Sequence, residues 1–291
     1  MNTRDFEYFL ALTQTRNFSQ TAEQFAVSQP TITTAIKRLE DSFQAQLIIR
    51  DRRHHDIGVT SAGKQLAAHA QVILQQLTLA QQEIAWDQTN KIRFGLPPII
   101  GNYFFPKIAP QLIVAGLMPQ LQTVEAGSAA LLNQIKQGDL DFALLGASGP
   151  LQEPDLTISQ IGTAPFVIIT PESDPLAQKD KVRFAELAMQ KFVTLSEAFV
   201  HTRAFTWFQQ QSAFIPNVVY QTGDVQLLKQ MVAQNVGIGF LTNLAINPDD
   251  HLAAVNPPDP NQPVFPISIV RRKDRVLTPA MQHFNQILAA N

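Results

Sequence analysis

Residues 18–40 read FSQTAEQFAVSQPTITTAIKRLE, and this stretch decides the fold of the N-terminal part of the chain. Ser19 is a good N-cap for a helix over residues 20–25, and Ser28 can cap the helix that follows. The first turn of that second helix tolerates Pro30, because the N–H that proline lacks would have no helical partner there. Two short helices joined by a turn of three or four residues predict a helix-turn-helix.

The second of these helices has one apolar face and one polar face. Its apolar face is formed by Ile32, Ala35, Ile36, Leu39 and Phe43. On the polar face, Gln and Thr side chains can hydrogen-bond base edges, while Lys and Arg can neutralise phosphates. We therefore predict that Gln29, Pro30, Thr31, Thr33 and Thr34 lie in the major groove of DNA, and that Lys37, Arg38, Arg50, Arg52 and Arg53 hold phosphates. The same features also fit an ordinary helical hairpin with a solvated polar face.

A basic cluster follows the helix-turn-helix. The arginines at 50, 52 and 53 and the pair His54-His55 lie between two short apolar runs, residues 47–49 and 57–60. This pattern predicts a two-stranded wing whose basic tip reaches the phosphate backbone. A metal site at the two histidines is disfavoured, because the sequence offers no other close ligand. Residues 1–60 are thus predicted to form a winged helix-turn-helix DNA-binding domain, with no metal.

The next segment carries the most regular apolar spacing in the chain. Its members are Leu66, Ala70, Ile73, Leu77, Ala80 and Ile84, at intervals of 4, 3, 4, 3 and 4. This spacing is typical of a coiled-coil seam, and a single helix of this kind cannot bury its stripe alone. We predict that residues 61–88 form a linker helix that pairs with its counterpart in a second subunit. Packing of the stripe against the chain's own body is the alternative.

From residue 91 onward the pattern changes to alternating strands and helices. Strand-like runs at 92–96, 121–125 and 142–145 are separated by helical segments, which predicts a parallel sheet. A second set of strands and helices follows, and a proline-rich crossing precedes the last strand. The predicted α/β domain of residues 91–291 has two lobes, the first over about 91–161 and 266–291 and the second over about 162–265. A ligand cleft is expected between the lobes.

Composition narrows the class of protein without identifying it. The chain has 291 residues and no cysteine, which excludes a disulfide scaffold and a zinc–thiolate site. Its net charge of -2 does not point to nucleic acid. No G-x-S-x-G, P-loop, H-E-x-x-H or G-x-G-x-x-G motif is present, so neither an enzyme activity nor a cofactor is predicted. No segment resembles an export signal or a membrane span, so a cytoplasmic protein without a membrane partner is expected.

Taken together, these motifs resemble those of the LysR-type transcriptional regulators over essentially the whole chain. The ordered set is Phe18-Ser19-x-x-Ala22, Val27-Ser28-Gln29-Pro30-x-Ile32-Thr33-x-x-Ile36-x-x-Leu39-Glu40, Leu47-x-x-Arg50, Val59-Thr60-x-Ala62-Gly63, Gly138-Asp139-Leu140-Asp141 and Met231-Val232-Ala233-x-x-Val236-Gly237-Ile238-Gly239. The resemblance implies a regulator of promoter DNA with a dimerising linker helix and an inducer-binding domain of the periplasmic-binding-protein type. Family members commonly assemble as tetramers, so a homodimer or a homotetramer is expected.

Two features refine the resemblance. Gln44 and Asn235 replace residues that are usually Gly in the family, and the change at Gln44 is expected to be conservative in shape. The segments at 28–32, 48–51 and 97–103 resemble a subgroup, the malolactic-fermentation regulators of lactic acid bacteria. That likeness implies L-malate as the inducer.

Three strand-to-helix loops are expected to build the inducer site. They lie at 98–102, 127–128 and 196–203, where helix N-termini would meet the carboxyl ends of parallel strands. Free N–H groups at helix N-termini favour an anion, so a small carboxylate is predicted, with His201 and Arg203 as cationic partners. The predicted effector-binding residues are Pro98, Ile99, Ile100, Gly101, Asn102, Gly127, Ser128, Ser196, His201, Arg203 and Thr222. Alternatively, His201 and Arg203 are solvated residues at a helix start.

Overall fold

The computed structural model describes residues 1–50, 57–197, 199–212, 214–259 and 261–290, with Arg50 described in its backbone alone. The predicted phosphate contacts Arg52 and Arg53 therefore lie outside the described residues, as do His54 and His55. The chain divides into two compact units, Met1–Trp86 and Asp87–Asn291.

The N-terminal unit contains three helices, a hairpin and a long helix. In chain order these are α1 (Thr3–Thr15), α2 (Phe18–Gln24), α3 (Gln29–Phe43), β1 (Ile48–Arg50), β2 (Ile57–Val59) and α4 (Ser61–Asp87). As predicted, the Ser28 side chain caps α3 by accepting from the N–H of Thr31. The predicted start of α2 is wrong by two residues, because Asn17 and not Ser19 is its N-cap. Four residues of the predicted apolar face of α3 pack into the core of this unit, Ile32, Ala35, Ile36 and Leu39, whereas Phe43 is 45% exposed.

The end of α3 shows what the departure at Gln44 does to the backbone. Gln44 is the C-cap of α3 and lies in the left-handed region, with φ 49° and ψ 39°. Asn235, which follows α8 (Val225–Ala233), also has a positive φ, 60°. Glycine adopts this region without a steric penalty, whereas residues with a Cβ pay one. Gln44 therefore keeps the backbone conformation that glycine favours at this helix end, in line with the expected conservation of shape, but at a steric cost that glycine would not have.

The hairpin of the predicted wing is present. Ile48 pairs with Val59 and Arg50 with Ile57, in antiparallel register. Behind it, the Thr60 hydroxyl donates to the carbonyl of Gln46 (2.7 Å) and accepts from the N–H of Gly63 (2.9 Å). A Cβ at Gly63 would lie 2.3 Å from the carbonyl oxygen of Leu47, so only glycine lets α4 start this close to the hairpin.

Helix α4 confirms the predicted long helix, but its apolar stripe has two parts. Leu66 and Ala70 are buried in the core of their own N-terminal unit. Ile73, Leu77 and Ile84 are 44%, 38% and 65% exposed. The predicted seam was therefore too long at its start, because the first two positions are already covered within the chain. The stripe that is left exposed begins at Ile73.

The C-terminal unit alternates strands and helices. After α4 come β3 (Ile92–Leu96), α5 (Pro98–Val114), β4 (Leu121–Glu125), α6 (Ser128–Gln137), β5 (Phe142–Gly146), β6 (Leu156–Pro171), β7 (Lys191–Leu195), α7 (Val200–Ser212), β8 (Asn217–Thr222), α8 (Val225–Ala233), β9 (Ile238–Thr242), β10 (Leu252–Val255), β11 (Val264–Arg272) and α9 (Pro279–Ala289). The helix predicted from Asn102 begins at Pro98, because proline is well suited to the first helical position. Two strands predicted at 156–161 and 166–170 are the single strand β6.

Nine strands form one mixed sheet within the described residues of this unit. Their order is β4-β3-β5-β11-β6-β9-β7-β8, with β10 paired to β6. The predicted parallel pairing is confirmed for β3 with β4 and β5, and it recurs for β7 with β8 and β9. The first part of β6 pairs with β11 and its last part with β9, both antiparallel. Strand β6 therefore joins two halves, which we call lobe 1 (β3–β5, β11, α5, α6 and α9) and lobe 2 (β7–β10, α7 and α8).

A buried ionic chain lies at the base of lobe 1. Asp141 is 1% exposed and accepts from the backbone N–H, Nε and Nη2 of Arg93 at 2.9, 3.1 and 2.8 Å. It also accepts from Nε of Arg275 at 3.2 Å. Arg275 in turn donates to both carboxylate oxygens of Asp87, at 2.5 and 3.3 Å. This arrangement gives the Gly138–Asp141 motif a structural role, because Gly138 also offers its carbonyl to Arg93 (2.7 Å).

Candidate functional site

The predicted DNA-reading face of α3 is open to solvent. Gln29, Pro30, Thr31 and Thr34 are exposed, and Thr33 is half-buried. The Thr31 hydroxyl lies 2.8 Å from that of Ser28, and the Thr34 hydroxyl donates to the carbonyl of Pro30 at 2.8 Å. These bonds direct both hydroxyls toward the helix's own first turn, which leaves the amide of Gln29 as the longest polar group on the face.

The two phosphate-contact candidates on α3 have different surroundings. Lys37 is exposed. Arg38 donates from Nε and Nη2 to the carboxylate of Asp5, at 3.2 and 2.5 Å, and the Asp5 side chain is fully buried. This two-point ion pair fixes α1 against α3 and neutralises Arg38, so Lys37 is the stronger candidate for a phosphate. The sequence analysis missed the pairing, because 33 residues separate its members.

In the C-terminal unit, three helix N-termini meet at one small cavity between the lobes. Its volume is about 20 Å³. It is lined by Pro97, Pro98, Ile99, Ile100, Gly127, Ser128, Phe199, Val200, His201 and Phe265. The structure thus brings together six of the predicted effector-binding residues, from the starts of α5, α6 and α7. Because α6 and α7 belong to different lobes, relative movement of the lobes would change the size of this cavity.

A larger cavity of about 360 Å³ adjoins the small one and shares Ser128, Phe199 and Val200 with it. Its lining includes Arg203, as predicted for an anion site, and also Glu197. The sequence analysis did not include Glu197 in the site, although it lies within the predicted loop at 196–203. The Ser128 hydroxyl accepts from the N–H of Gly146 at 3.1 Å, which ties two of the lining loops together.

Asn102 lies at a third cavity, separate from Arg203. This cavity has a volume of about 340 Å³ and shares Pro98 and Ile99 with the small one. Its polar lining includes Asp224 and Lys229, neither of which is among the predicted effector-binding residues. The Lys229 ammonium is buried and donates to both carboxylate oxygens of Asp250, at 2.9 and 2.7 Å. Its charge is therefore already compensated.

Three predicted effector-binding residues line none of these three cavities. Gly101 packs toward the side chain of Leu96. The N–H of Ser196 donates to the carbonyl of Thr222 at 2.9 Å, and the Thr222 hydroxyl accepts from the N–H of Asp224 at 3.0 Å. The geometry gives Ser196 and Thr222 a role in holding the loops between β7 and α7 and between β8 and α8.

His201 is not a cationic partner, and that prediction is wrong. The residue is 3% exposed and packs against Phe166 and Phe265, with ring centroids 5.4 and 5.5 Å away. Burial lowers the pKa of His201 from its usual 6.5 to about 3. Its Nε2 accepts from the N–H of Thr242 at 3.2 Å, so the neutral ring carries its proton on Nδ1. Arg203 is the remaining cation of the predicted pair.

We expect the neutral His201 to make the protein less stable in acid. The unfolded state binds a proton near pH 6.5 and the folded state only near pH 3, so stability is lost as the pH falls through this window. Between pH 7.5 and pH 5 the loss is about 2 kcal/mol. Urea unfolding at both pH values measures it, and the variant His201→Phe should lose about 2 kcal/mol less than wild type over the same interval. Equal losses for the two proteins would contradict the buried neutral assignment.

Among the described residues, no three His, Asp or Glu side chains are grouped as a metal ion would require. None of the helices in these described ranges carries an apolar stretch of the length that a membrane span needs.

Each of the two units matches a known protein family. Residues 3–64 match the family described as bacterial regulatory helix-turn-helix protein, lysR family, and residues 87–291 match the LysR substrate binding domain. The malolactic fermentation system transcriptional activator of Lactococcus lactis subsp. lactis (strain IL1403) is 30% identical over 289 residues, which is 99% of this chain and 98% of the relative.

Two solved structures share the fold. Full-length OxyR from Pseudomonas aeruginosa, solved as a point variant, has a TM-score of 0.56 and 24% identity, covering 100% of this chain and 99% of that one. The effector binding domain of QuiR, solved in complex with shikimate, has a TM-score of 0.59 and 15% identity, covering 69% of this chain and 95% of that one. The relatives are transcriptional regulators and not enzymes. With a helix-turn-helix at its N-terminus and a ligand-binding domain at its C-terminus, the chain belongs to the LysR family of DNA-binding transcriptional regulators.

Proposed function

We propose that this regulator binds a small organic acid such as L-malate between its lobes and thereby controls the transcription of metabolic genes. The observation that carries the proposal is the meeting of the N-termini of α5, α6 and α7 at one cavity, beside a larger cavity lined by Arg203. N–H groups without a helical partner and the partial positive charge of each helix start favour a carboxylate there. The malolactic relative supports an organic acid as the ligand class.

Peroxide sensing is the second function that the relatives suggest, since several are described as hydrogen peroxide-inducible genes activators. Oxidation of a thiolate to a sulfenic acid or a disulfide needs cysteine. This chain contains none, so thiol chemistry is not available to it. An organic acid therefore remains the better proposal.

Titration calorimetry tests the ligand class. We expect L-malate, citrate or succinate to bind the wild-type chain, and Arg203→Ala to weaken that binding by about ten- to a hundredfold, because a hydrogen bond to a charged group is worth about 1.5–3 kcal/mol. Arg183→Ala is the matched control, since Arg183 is exposed in lobe 2 and pairs with Glu186. If none of the acids binds, or if Arg203→Ala binds as wild type does, the proposed site is wrong.

The DNA-binding unit is proposed to act as a dimer in the cytoplasm, with α3 of each subunit in the major groove of one half-site of a promoter. Paired recognition helices require a two-fold arrangement of subunits, and the exposed stripe of α4 from Ile73 onward provides a surface for it.

We expect two substitutions on α3 to affect DNA binding in different ways. Gln29→Ala should weaken the free energy of binding to the preferred operator by about 1–3 kcal/mol, because it removes a base contact. The variant should also discriminate less between that operator and other sequences. Lys37→Ala should weaken binding to all DNA sequences alike. It should also lower the slope of log affinity against log salt concentration by about 1, because it removes one phosphate contact. Fluorescence anisotropy at several salt concentrations measures both effects, with Gln137→Ala, an exposed position of the C-terminal unit, as control. An unchanged salt slope for Lys37→Ala would exclude it from the interface.

A further inference from the structure

A second small cavity lies in lobe 2, between α7 and the ends of β7 and β8. Its volume is about 30 Å³, and its lining combines Leu195, Phe205 and Phe240 with four polar side chains, Thr194, His201, Thr202 and Gln221, of which Gln221 is exposed to solvent. None of the side chains that line it is charged. His201 also lines the small cavity between the lobes, so its ring is a wall common to both spaces.

Two polar atoms of this lining are buried without a hydrogen-bond partner in the part of the chain that the structure describes. They are Nδ1 of His201 and Oγ1 of Thr194, in residues that are 3% and 6% exposed. Since Nε2 of His201 accepts from the N–H of Thr242, Nδ1 carries the proton and is a donor that needs an acceptor. The Thr194 hydroxyl can both donate and accept. A buried polar group left without a partner is costly, and two of them at one cavity indicate an occupant.

The size and charge of the cavity limit what that occupant is. A space of about 30 Å³ has room for one water molecule or for one ligand hydroxyl group. With a neutral imidazole and no charged lining, the cavity offers nothing to balance an ion. The occupant must therefore be an uncharged oxygen that accepts one hydrogen bond.

We propose that this cavity binds a single uncharged oxygen atom between Nδ1–H of His201 and the hydroxyl of Thr194. The oxygen belongs either to an ordered water molecule or to the effector. In the second case the effector lies in the cavity between the lobes and extends one hydroxyl group beside the His201 ring into this space. The second source rests on the proposed function, and the first does not. In both cases the site fixes the ring of His201 at the start of α7, next to Phe199 and Val200 of the effector cavity.

Thr194→Val tests the proposal, because it replaces the hydroxyl with a methyl group of similar shape. Thr170→Val is the matched control, since the Thr170 hydroxyl is also buried without a partner but does not line this cavity. If the oxygen is an ordered water molecule, it is present in the ligand-free full-length protein, so Thr194→Val should lower the thermal unfolding midpoint while Thr170→Val leaves it equal or higher. If the oxygen belongs to the effector, the cavity is empty without ligand and Thr194→Val should not lower the midpoint. A crystal structure of the wild-type chain with its effector should show density within hydrogen-bond distance of both atoms.

Binding of L-malate and succinate, which differ by one hydroxyl, separates the two sources. If the oxygen is a water molecule, it is present without ligand and Thr194→Val leaves the ratio of the two affinities unchanged. If it belongs to the effector, wild type prefers malate by about tenfold and Thr194→Val removes most of that preference. An empty cavity in the ligand-free and ligand-bound crystals, with Thr194→Val as stable and as selective as wild type, would overturn the proposal. Because the stability measurement uses no organic acid, it tests the water source independently of the proposed effector.

Discussion

Replacing Asp141 with Asn is expected to lower the free energy of unfolding by about 3–5 kcal/mol, which is the usual cost of breaking a buried ion pair from one side. The carboxylate accepts four hydrogen bonds, three from Arg93 and one from Arg275. Both arginines are themselves buried. Without the negative charge of Asp141, the three hydrogen bonds from Arg93 lose their charged acceptor. Arg275 keeps its ion pair with Asp87, whose side chain is 35% exposed.

Asp139→Asn provides the control for this substitution. Asp139 belongs to the same four-residue motif, but it is exposed. The chemical change is the same as in Asp141→Asn. We expect it to lower the free energy of unfolding by less than about 0.5 kcal/mol, as is usual for a surface substitution. Urea unfolding of the full-length protein measures both variants. Similar losses for the two would mean that the buried charges do not stabilise lobe 1.

The second large effect is expected at the exposed stripe of α4. Replacing both Ile73 and Leu77 with Glu would bury carboxylates in the helix pair, where charges without a partner are strongly disfavoured. We expect sedimentation to show smaller species than for wild type. Because a monomer reaches only one half-site, operator affinity should fall at least a hundredfold.

The variant Gln75→Glu/Gln82→Glu separates this effect from that of added charge. It adds the same two charges to α4, at positions away from the exposed stripe. We expect this control to keep the wild-type oligomer. If Ile73→Glu/Leu77→Glu also kept it, the stripe would not be the dimer contact.

Local signals explain most of the fold that could be predicted. The cap at Ser28 and the strand at 92–96 each depend on a few neighbouring residues, and both are confirmed. The single strand β6 was predicted as two, because its middle segment lacks the apolar alternation of its ends. That segment pairs with β11, about a hundred residues later in the chain. Pairing over such a separation produces no pattern among neighbouring residues of the sequence.

The effector site was predictable in its outline and not in its details. The strand order brings the starts of α5, α6 and α7 together, which the alternating pattern anticipated. Which cavity a residue faces depends on side-chain packing, so the separation of Asn102 from Arg203 could not be foreseen. For His201, the decisive fact is burial among aromatic rings from distant strands, and this removed the positive charge expected of it.

The proposed coupling between an organic acid and DNA is tested most directly by footprinting the full-length chain, with and without L-malate, on the DNA sites that it selects from a random-sequence library. We expect protection of two half-sites whose centres lie about 10 base pairs or a multiple of that apart, because paired recognition helices meet the same face of the duplex. Saturating L-malate should change the protected pattern, while acetate at the same concentration should not. The coupling would be contradicted if the chain protected its site no better than an unrelated fragment at the same salt concentration. It would also be contradicted if L-malate left the protected pattern unchanged.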